Sequence, residues 1–152
     1  MPSLLRLAAP LAASLVLVAG CDDPLAPDDV AGTYVLETVD GNALPAALAA
    51  GPQERVVVSV VIELSDDETG DVSHVEVIDG LVYSSVVPIA YAISGDEGFV
   101  AEFPCPPNAL CTAPPHLVGR FRGGRLELSR YLIDGHEWSF GRPQIEAAAV
   151  GR

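Results

Sequence analysis

Residues 55–64 read RVVVSVVIEL, the clearest strand in the chain. Val56, Val58, Val60, Ile62 and Leu64 fall on one side of a period-two pattern, with Arg55, Ser59 and Glu63 on the other. β-branched side chains are stiff at χ1 and pack well on a pleated surface, so this run favours extended backbone over helix. The polar turn SDDETGD (65–71) follows, then a second strand over 72–78. Asp79-Gly80 is a hairpin signal, because both positions of a tight primed turn require positive φ.

The alternation continues outward from this centre. Leu81, Tyr83, Val87, Ile89, Tyr91 and Ile93 share a face, and Pro88, which cannot donate to a ladder, marks an edge or a bulge. SGDEG turns into a strand in which Phe99, Ala101 and Phe103 point inward. Strands over 117–122 and 125–132 flank a Gly123-Gly124 turn. Leu117, Gly119 and Phe121 alternate with Val118, Arg120 and Arg122, and Leu126 and Leu128 alternate with Arg125, Glu127 and Ser129. Asp134-Gly135 turns into HEWSF, with Trp138 and Phe140 on one face. At the front, GTYVLETVDG (32–41) is another strand, ending at Asp40-Gly41. Alanine and leucine in LPAALAAGP (44–52) favour one or two helical turns, with Pro45 suited to the first turn. The sum is an all-β chain of about eight strands joined mostly by short turns. Sequential antiparallel neighbours are the default, and closing an up-and-down barrel removes raw edges. A two-sheet β-sandwich is the alternative.

The front of the chain has a different character. Arg6 is the only charge before residue 21, and Leu11 to Ala19 form a short apolar core. A positive start, a hydrophobic region and a small-residue exit form the layout of a secretory signal, and Arg6 and Pro10 interrupt any longer spanning helix. Leu17-Val18-Ala19-Gly20-Cys21 resembles the lipobox of bacterial lipoproteins. That resemblance implies a diacylglycerol on the Cys21 sulfur, cleavage after residue 20 and acylation of the new amino terminus. It implies a protein of the bacterial cell envelope, on the periplasmic or surface side, held to the inner or the outer membrane by its acyl chains. Residues 21–30 hold four acids and two prolines, the composition of a tether. The organisation expected is signal peptide 1–20, tether 21–30, barrel 31–142 and tail 143–152.

Composition excludes several classes. The formal charge is −13 and every basic residue is arginine. This sign repels nucleic-acid phosphates and anionic lipid headgroups, so membrane contact falls to the anchor. Charge is uneven: seventeen acids face one arginine, Arg55, over 21–102, whereas six arginines face four acids over 103–152. Ion pairing between the two halves of a sheet accounts for this better than an arginine-lined anion site. Cys105 and Cys111, in FPCPPNALCTAPP, are an even pair in an exported chain and point to a disulfide stiffening a long connection. A metal site there would lack ligands, since His116 is the only imidazole nearby.

The chain is also similar to lipocalin-like small barrels. Gly32-Thr33-Tyr34 matches that family's G-x-W opening with tyrosine in the aromatic place, and the meander of two-residue turns is similar. The resemblance implies that a basic residue near the last strand, here Arg142, packs across Tyr34. It also implies an interior able to hold a small apolar ligand. Tyr34, Tyr83, Tyr91, Phe99, Phe103, Phe121 and Trp138 are then the candidate lumen residues.

Catalytic machinery is not evident. Among three histidines, His74 follows Ser73 on a strand, so the two point to opposite faces, and His136 reads as a rim residue. No G-x-S-x-G elbow occurs. The acids at 66–71 miss the calcium-loop spacing and read as a solvated hairpin tip. No catalytic residue, cofactor or metal is expected. Two non-enzymatic readings remain: a barrel binding a small apolar ligand, or an envelope structural or protein-interaction module with a filled core. The anchor has a direct test. Cys21→Ser is expected to move the protein from the membrane to the soluble fraction, and retention in the membrane pellet would refute the lipobox reading.

Overall fold

The computed structural model describes residues 25–50, 53–105, 116–131 and 133–143. The lipobox cysteine, residues 1–20, Cys111 and the end of the tail lie outside these. One helical turn, α1 (Pro27–Val30), precedes ten strands: β1 (Gly32–Val39), β2 (Asn42–Ala43), β3 (Ala46–Ala50), β4 (Gln53–Leu64), β5 (Thr69–Ile78), β6 (Leu81–Ser94), β7 (Gly98–Glu102), β8 (His116–Arg122), β9 (Arg125–Tyr131) and β10 (Ile133–Gly141).

Every pairing is antiparallel. β4 to β10 follow one another around the sheet, and β1 closes it between β10 and β4. The result is the up-and-down barrel of eight strands, with β2 and β3 as additions, and not a sandwich. Closure uses two stretches of β1. Gly32 to Val35 pair with Leu64 to Val61 of β4. Val35 to Val39 pair with Gly141 to Trp138 of β10. Beyond Val35 the edges of β1 and β4 part. β2 then covers β1 at Thr38 and Val39, and β3 covers β4 from Gln53 to Val57.

Three hairpin turns follow the expected chemistry. Asp40-Gly41, Asp79-Gly80 and Gly123-Gly124 all carry positive φ at both positions, the primed geometry that matches strand twist. Asp134-Gly135 departs from expectation. β10 already begins at Ile133, and its register with β9 shifts between Asp134 and Trp138, where Gly135 takes a φ of 92°.

Two other expectations are corrected. The alanine-rich stretch is a strand, not helical turns: Ala46 to Ala50 run beside Val57 to Gln53. A five-residue helix would leave its own backbone groups unpaired, whereas the free edge of β4 satisfies them along one side. The even-numbered face of RVVVSVVIEL is broken as well. Val57 stands opposite Glu76 and Ser59 opposite Val75, so Val58 is an extra, bulged residue. The bulge reverses the phase. Val57 is buried ahead of it, Val60, Ile62 and Leu64 after it, and Val58 is exposed.

The barrel has two different ends. At the first lie α1, the acidic 65–68 turn, the 95–97 turn and the Gly123-Gly124 turn. Asp67 accepts hydrogen bonds from the amide and hydroxyl of Thr69, so that acidic tip is a solvated side-chain turn. At the second lie Asp40-Gly41 and the β5–β6 hairpin, which outruns its neighbour. β7 pairs only with Ala90 to Ser94 of β6, whereas β5 pairs with β6 along its length to Leu81.

Inside, a Cβ on Gly119 would stand 2.1 Å from the Glu127 carbonyl oxygen and 2.9 Å from the Leu128 Cα, both backbone atoms that cannot swing aside. Gly119→Ala is therefore expected to cost about 1–3 kcal/mol through overpacking, read as a lower denaturant midpoint. An unchanged midpoint would show that β8 and β9 do not run this close.

Candidate functional site

Most residues singled out as lumen candidates do converge. Tyr34, Tyr91, Phe99, Phe121 and Trp138 are all buried in the core. The first four form a chain of rings: Tyr34 lies 5.6 Å from Phe121, Phe121 5.5 Å from Phe99, and Phe99 5.9 Å from Tyr91. Phe103 is partly buried against this core. Tyr83 is not a lumen residue, being 48% exposed. Its strand keeps the right phase, but Tyr83 sits on the overhanging part of β6, beyond the reach of β7.

The helical end is stapled by Arg142. Its guanidinium carbon lies 5.2 Å from the Tyr34 ring centroid, and its Nε and Nη2 donate to the Tyr34 hydroxyl at 3.2 and 2.9 Å. The hydroxyl in turn donates to the Val30 carbonyl at 2.8 Å. Arg142 also donates to the carbonyls of Asp29 and Ala31. This basic-residue-over-aromatic contact is the one the resemblance to small barrels placed here. It ties α1 across the end, with Val30 buried, so the polar 21–30 segment finishes inside the fold.

Sequence reading missed the polar cluster toward the other end. His74 is the one buried polar residue among the described residues. Its Nδ1 lies 2.7 Å from the Tyr131 hydroxyl, and the two rings stack at 5.8 Å. Its Nε2 lies 3.6 Å from Glu76 Oε2, which also sits 3.3 Å from Arg55 Nε. Tyr131 packs edge-on against Trp138 at 4.8 Å. Burial lowers the His74 pKa from its ordinary value; Glu76 opposes that shift and Arg55 adds to it. Burial, helped by Glu76, raises the Tyr131 pKa. Neutral imidazole and intact phenol are therefore the forms that fit.

The phase of β5 could have found His74, since it sits two residues after buried Val72. Tyr131 is hidden from simple counting. Val118 faces Arg130 and Gly119 faces Leu128, so Ser129 is an extra residue that turns Tyr131 inward.

His136 is a rim group. Its Nδ1 lies 2.6 Å from Asp40 Oδ2, and Asp40 Oδ1 accepts the Glu137 amide at 2.8 Å. The His136 bond first, then the Glu137 amide, hold the Asp40 carboxyl below its usual value. Of the expected pairing between the two halves of the chain, the described residues give Arg125 with Glu37, whereas Arg120–Glu127 and Arg55–Glu76 each stay within one half. Arg125 meets Glu37 and Ser139, Arg120 lies 3.0 Å from Glu127, and Arg55 meets Glu76.

Several hollows open toward solvent, and two of them reach core rings: Trp138 lines the first, and Tyr34 and Phe121 line the second. One of about 490 Å³ lies on the outer face of β1, β8, β9 and β10, lined by Thr38, Arg120, Glu127, Ser129 and Glu137. Another, of about 460 Å³, flanks Arg142 at the helical end. A third, of about 410 Å³, is apolar and runs beside Pro88, Ile89, Phe103 and Pro104. The described residues contain no cluster of three or more metal-ligating side chains. Cys105 ends the described part of its loop, and its expected partner Cys111 lies outside the described residues.

The chain matches no protein-family model, no curated protein and no solved structure.

The His74 cluster has a signed pH dependence. A folded-state pKa below the unfolded value of about 6.5 makes the unfolded chain the better proton acceptor. The stability His74 contributes is present above that value and is lost as pH falls through the folded pKa. Between pH 6.5 and 5, stability is expected to drop by at most about 1.4 kcal/mol per pH unit from this group. His74→Gln should flatten that slope in denaturant titrations at each pH. An unaltered slope would show that His74 protonates as readily in the fold as out of it.

Proposed function

We propose that this protein is a lipid-anchored, non-enzymatic lipoprotein of the bacterial envelope that works by docking a protein against its barrel. The observation that carries the choice between the two non-enzymatic readings is the packed interior. An eight-stranded barrel has a lumen that its own side chains can fill or that can hold one small ligand. Here Tyr34, Phe121, Phe99 and Tyr91 occupy one part of it in mutual contact, and Tyr131, Trp138 and Phe140 another. A small apolar ligand, as the resemblance to lipocalin-like barrels would imply, needs that space empty.

Two further features favour docking. The Nδ1 of the inward polar group, His74, is held by the Tyr131 hydroxyl, which favours a structural role, while its Nε2 lies 3.6 Å from Glu76 with no hydrogen-bond partner among the described residues. The surface instead offers an apolar hollow beside Pro88 and Phe103. A Cys105–Cys111 disulfide, formed in an oxidising envelope, would stiffen the loop leaving that hollow. Cys21 supplies the anchor in this reading, with two or more acyl chains giving firm attachment.

Titration of the full chain with a fluorescent fatty acid tests the choice. No saturable one-to-one uptake is expected from the wild-type protein. Phe99→Ala should lose about 3–5 kcal/mol of stability and open an apolar cavity that admits a small arene. Stoichiometric, saturable uptake by the wild-type chain would restore the ligand-binding reading.

A further inference from the structure

The one arginine among the seventeen acids of residues 21–102, Arg55, lies on the face of β4 that carries buried Val57. There its Nε lies 3.3 Å from Glu76 Oε2, which in turn lies 3.6 Å from His74 Nε2. His74 Nε2 and Glu76 Oε2 are both buried with no hydrogen-bond partner among the described residues. On the far side of the ring, His74 Nδ1 lies 2.7 Å from the Tyr131 hydroxyl. His74 belongs to β5 and Tyr131 to β9, and three strands separate these two either way round the barrel. Their hydrogen bond therefore crosses the lumen.

We propose that His74 is a proton-operated latch. Neutral, it closes the second end of the barrel by tying β5 to β9; on taking up a proton it opens that end to water. At neutral pH Arg55 and Glu76 cancel and the imidazole is uncharged, so the layer carries no net charge. The Tyr131 hydroxyl then donates to Nδ1, and the ring hydrogen sits on Nε2, toward Glu76. A proton from solvent changes both sides of the ring. Nδ1 becomes a donor, so the phenol has to turn its own hydrogen away from the acceptor it had. Nε2 and Arg55 now share one Glu76 oxygen, and one net positive charge is left in the layer. An uncompensated buried charge is costly, and water relieves it. Exposure rises along the series that leads to this layer, from 7% for the His74 side chain to 14% for Glu76 and 25% for Arg55.

Among the described residues, the neighbouring strands do not offset that charge. β4 adds Arg55, a second cation. β6 has no charged residue from Leu81 to Ser94, and its Ser85 and Tyr83 stand opposite His74 and Glu76. β9 presents the Tyr131 phenol. β10 presents Trp138, beside which His136 is held by Asp40 at the rim. The internal residues outside the described set, 51–52, 106–115 and 132, include no charged residue. The burial that lowers the His74 pKa is the same effect seen from the proton's side. A proton binds the wetted layer better than the dry one, and shifts the population by that difference alone. The layer is thus dry above the ordinary imidazole value of about 6.5 and wets as pH falls below it. The latch goes beyond the docking reading and needs neither the anchor nor a partner.

Trp138, the single tryptophan of the chain, packs edge-on against Tyr131 and reports on this layer. The test is acrylamide quenching of its fluorescence in the full chain, in detergent, from pH 7.5 to 5. The quenching constant is expected to rise at least threefold on acidification, reversibly and with unchanged far-UV circular dichroism. His74→Gln, which hydrogen-bonds but takes up no proton, should stay at the pH 7.5 value throughout. His136→Gln changes the other imidazole near Trp138, at 6.4 Å, and should keep the wild-type rise. Tyr131→Phe lacks the bond across the lumen and should be readily quenched already at pH 7.5. Absence of a rise in the wild type overturns the latch. So does an undiminished rise in His74→Gln, its loss in His136→Gln, or a Tyr131→Phe protein as closed as the wild type. A rise that runs together with loss of the circular dichroism is acid unfolding of the whole barrel and overturns it too. NMR titration of the wild-type imidazoles needs no variant to fold. His74 is expected to titrate at the quenching midpoint, and His116 or His136 titrating there in its place overturns the proposal.

Discussion

The fold depends on Gly32–Val39 holding two partners at once. Its first half completes the ladder of β4 and its second half that of β10. Without that shared strand the sheet would end in two long raw edges, and the aromatic rings would face water. With it, Tyr34 is carried into the interior at the point where both ladders meet. Its hydroxyl then becomes the junction for Arg142 and the Val30 carbonyl. The hydrogen bonds matter less for their separate strengths than for what they join. One phenol links the helical turn, the first strand and the residue after the last strand.

How much of this is legible in the sequence depends on where the alternation stays regular. The strands follow from period two and the three primed turns from Asp-Gly or Gly-Gly at the joints, while barrel rather than sandwich is decided by β1 pairing with both β4 and β10. Errors arise where a single residue is inserted or where a strand outruns its neighbours. Val58 and Ser129 are bulged, and each reverses the faces read beyond it. Val57 and Tyr131 are consequently buried where simple counting puts them outside. Tyr83 fails for another reason: its phase is correct, but the short β7 leaves its part of β6 without a wall beside it. The alanine run departs from its helical expectation because intrinsic propensity is a weak prior, and an open backbone edge next to it outweighs that prior.

The interior is divided chemically as well as spatially. Around Phe99 and Phe121 it is a dry aromatic stack. Toward the other end it carries an Arg55–Glu76–His74–Tyr131 series in which a charged pair near the surface leads to a neutral pair inside. This order suits the physics of burial, since charge stays where water can reach and only uncharged groups go deeper. The outer faces follow a similar logic. Arg120 and Arg125 of the second half of the chain lie over Glu127 and Glu37, whereas Arg142 donates to the Tyr34 hydroxyl and two backbone carbonyls.

The staple at Arg142 also gives the molecule a heading. The chain enters through α1 at the same end as the 65–68 turn, and β5 runs from that turn to the 79–80 hairpin. Ten residues of strand at about 3.3 Å place the hairpin tip roughly 33 Å along the strand direction from the entry. Any force applied through residues before Leu25 therefore pulls on the stapled rim, while the uncharged fringe of β6 is held out at arm's length. The distance from the chain's entry to that hairpin tip is thus set by the length of one strand.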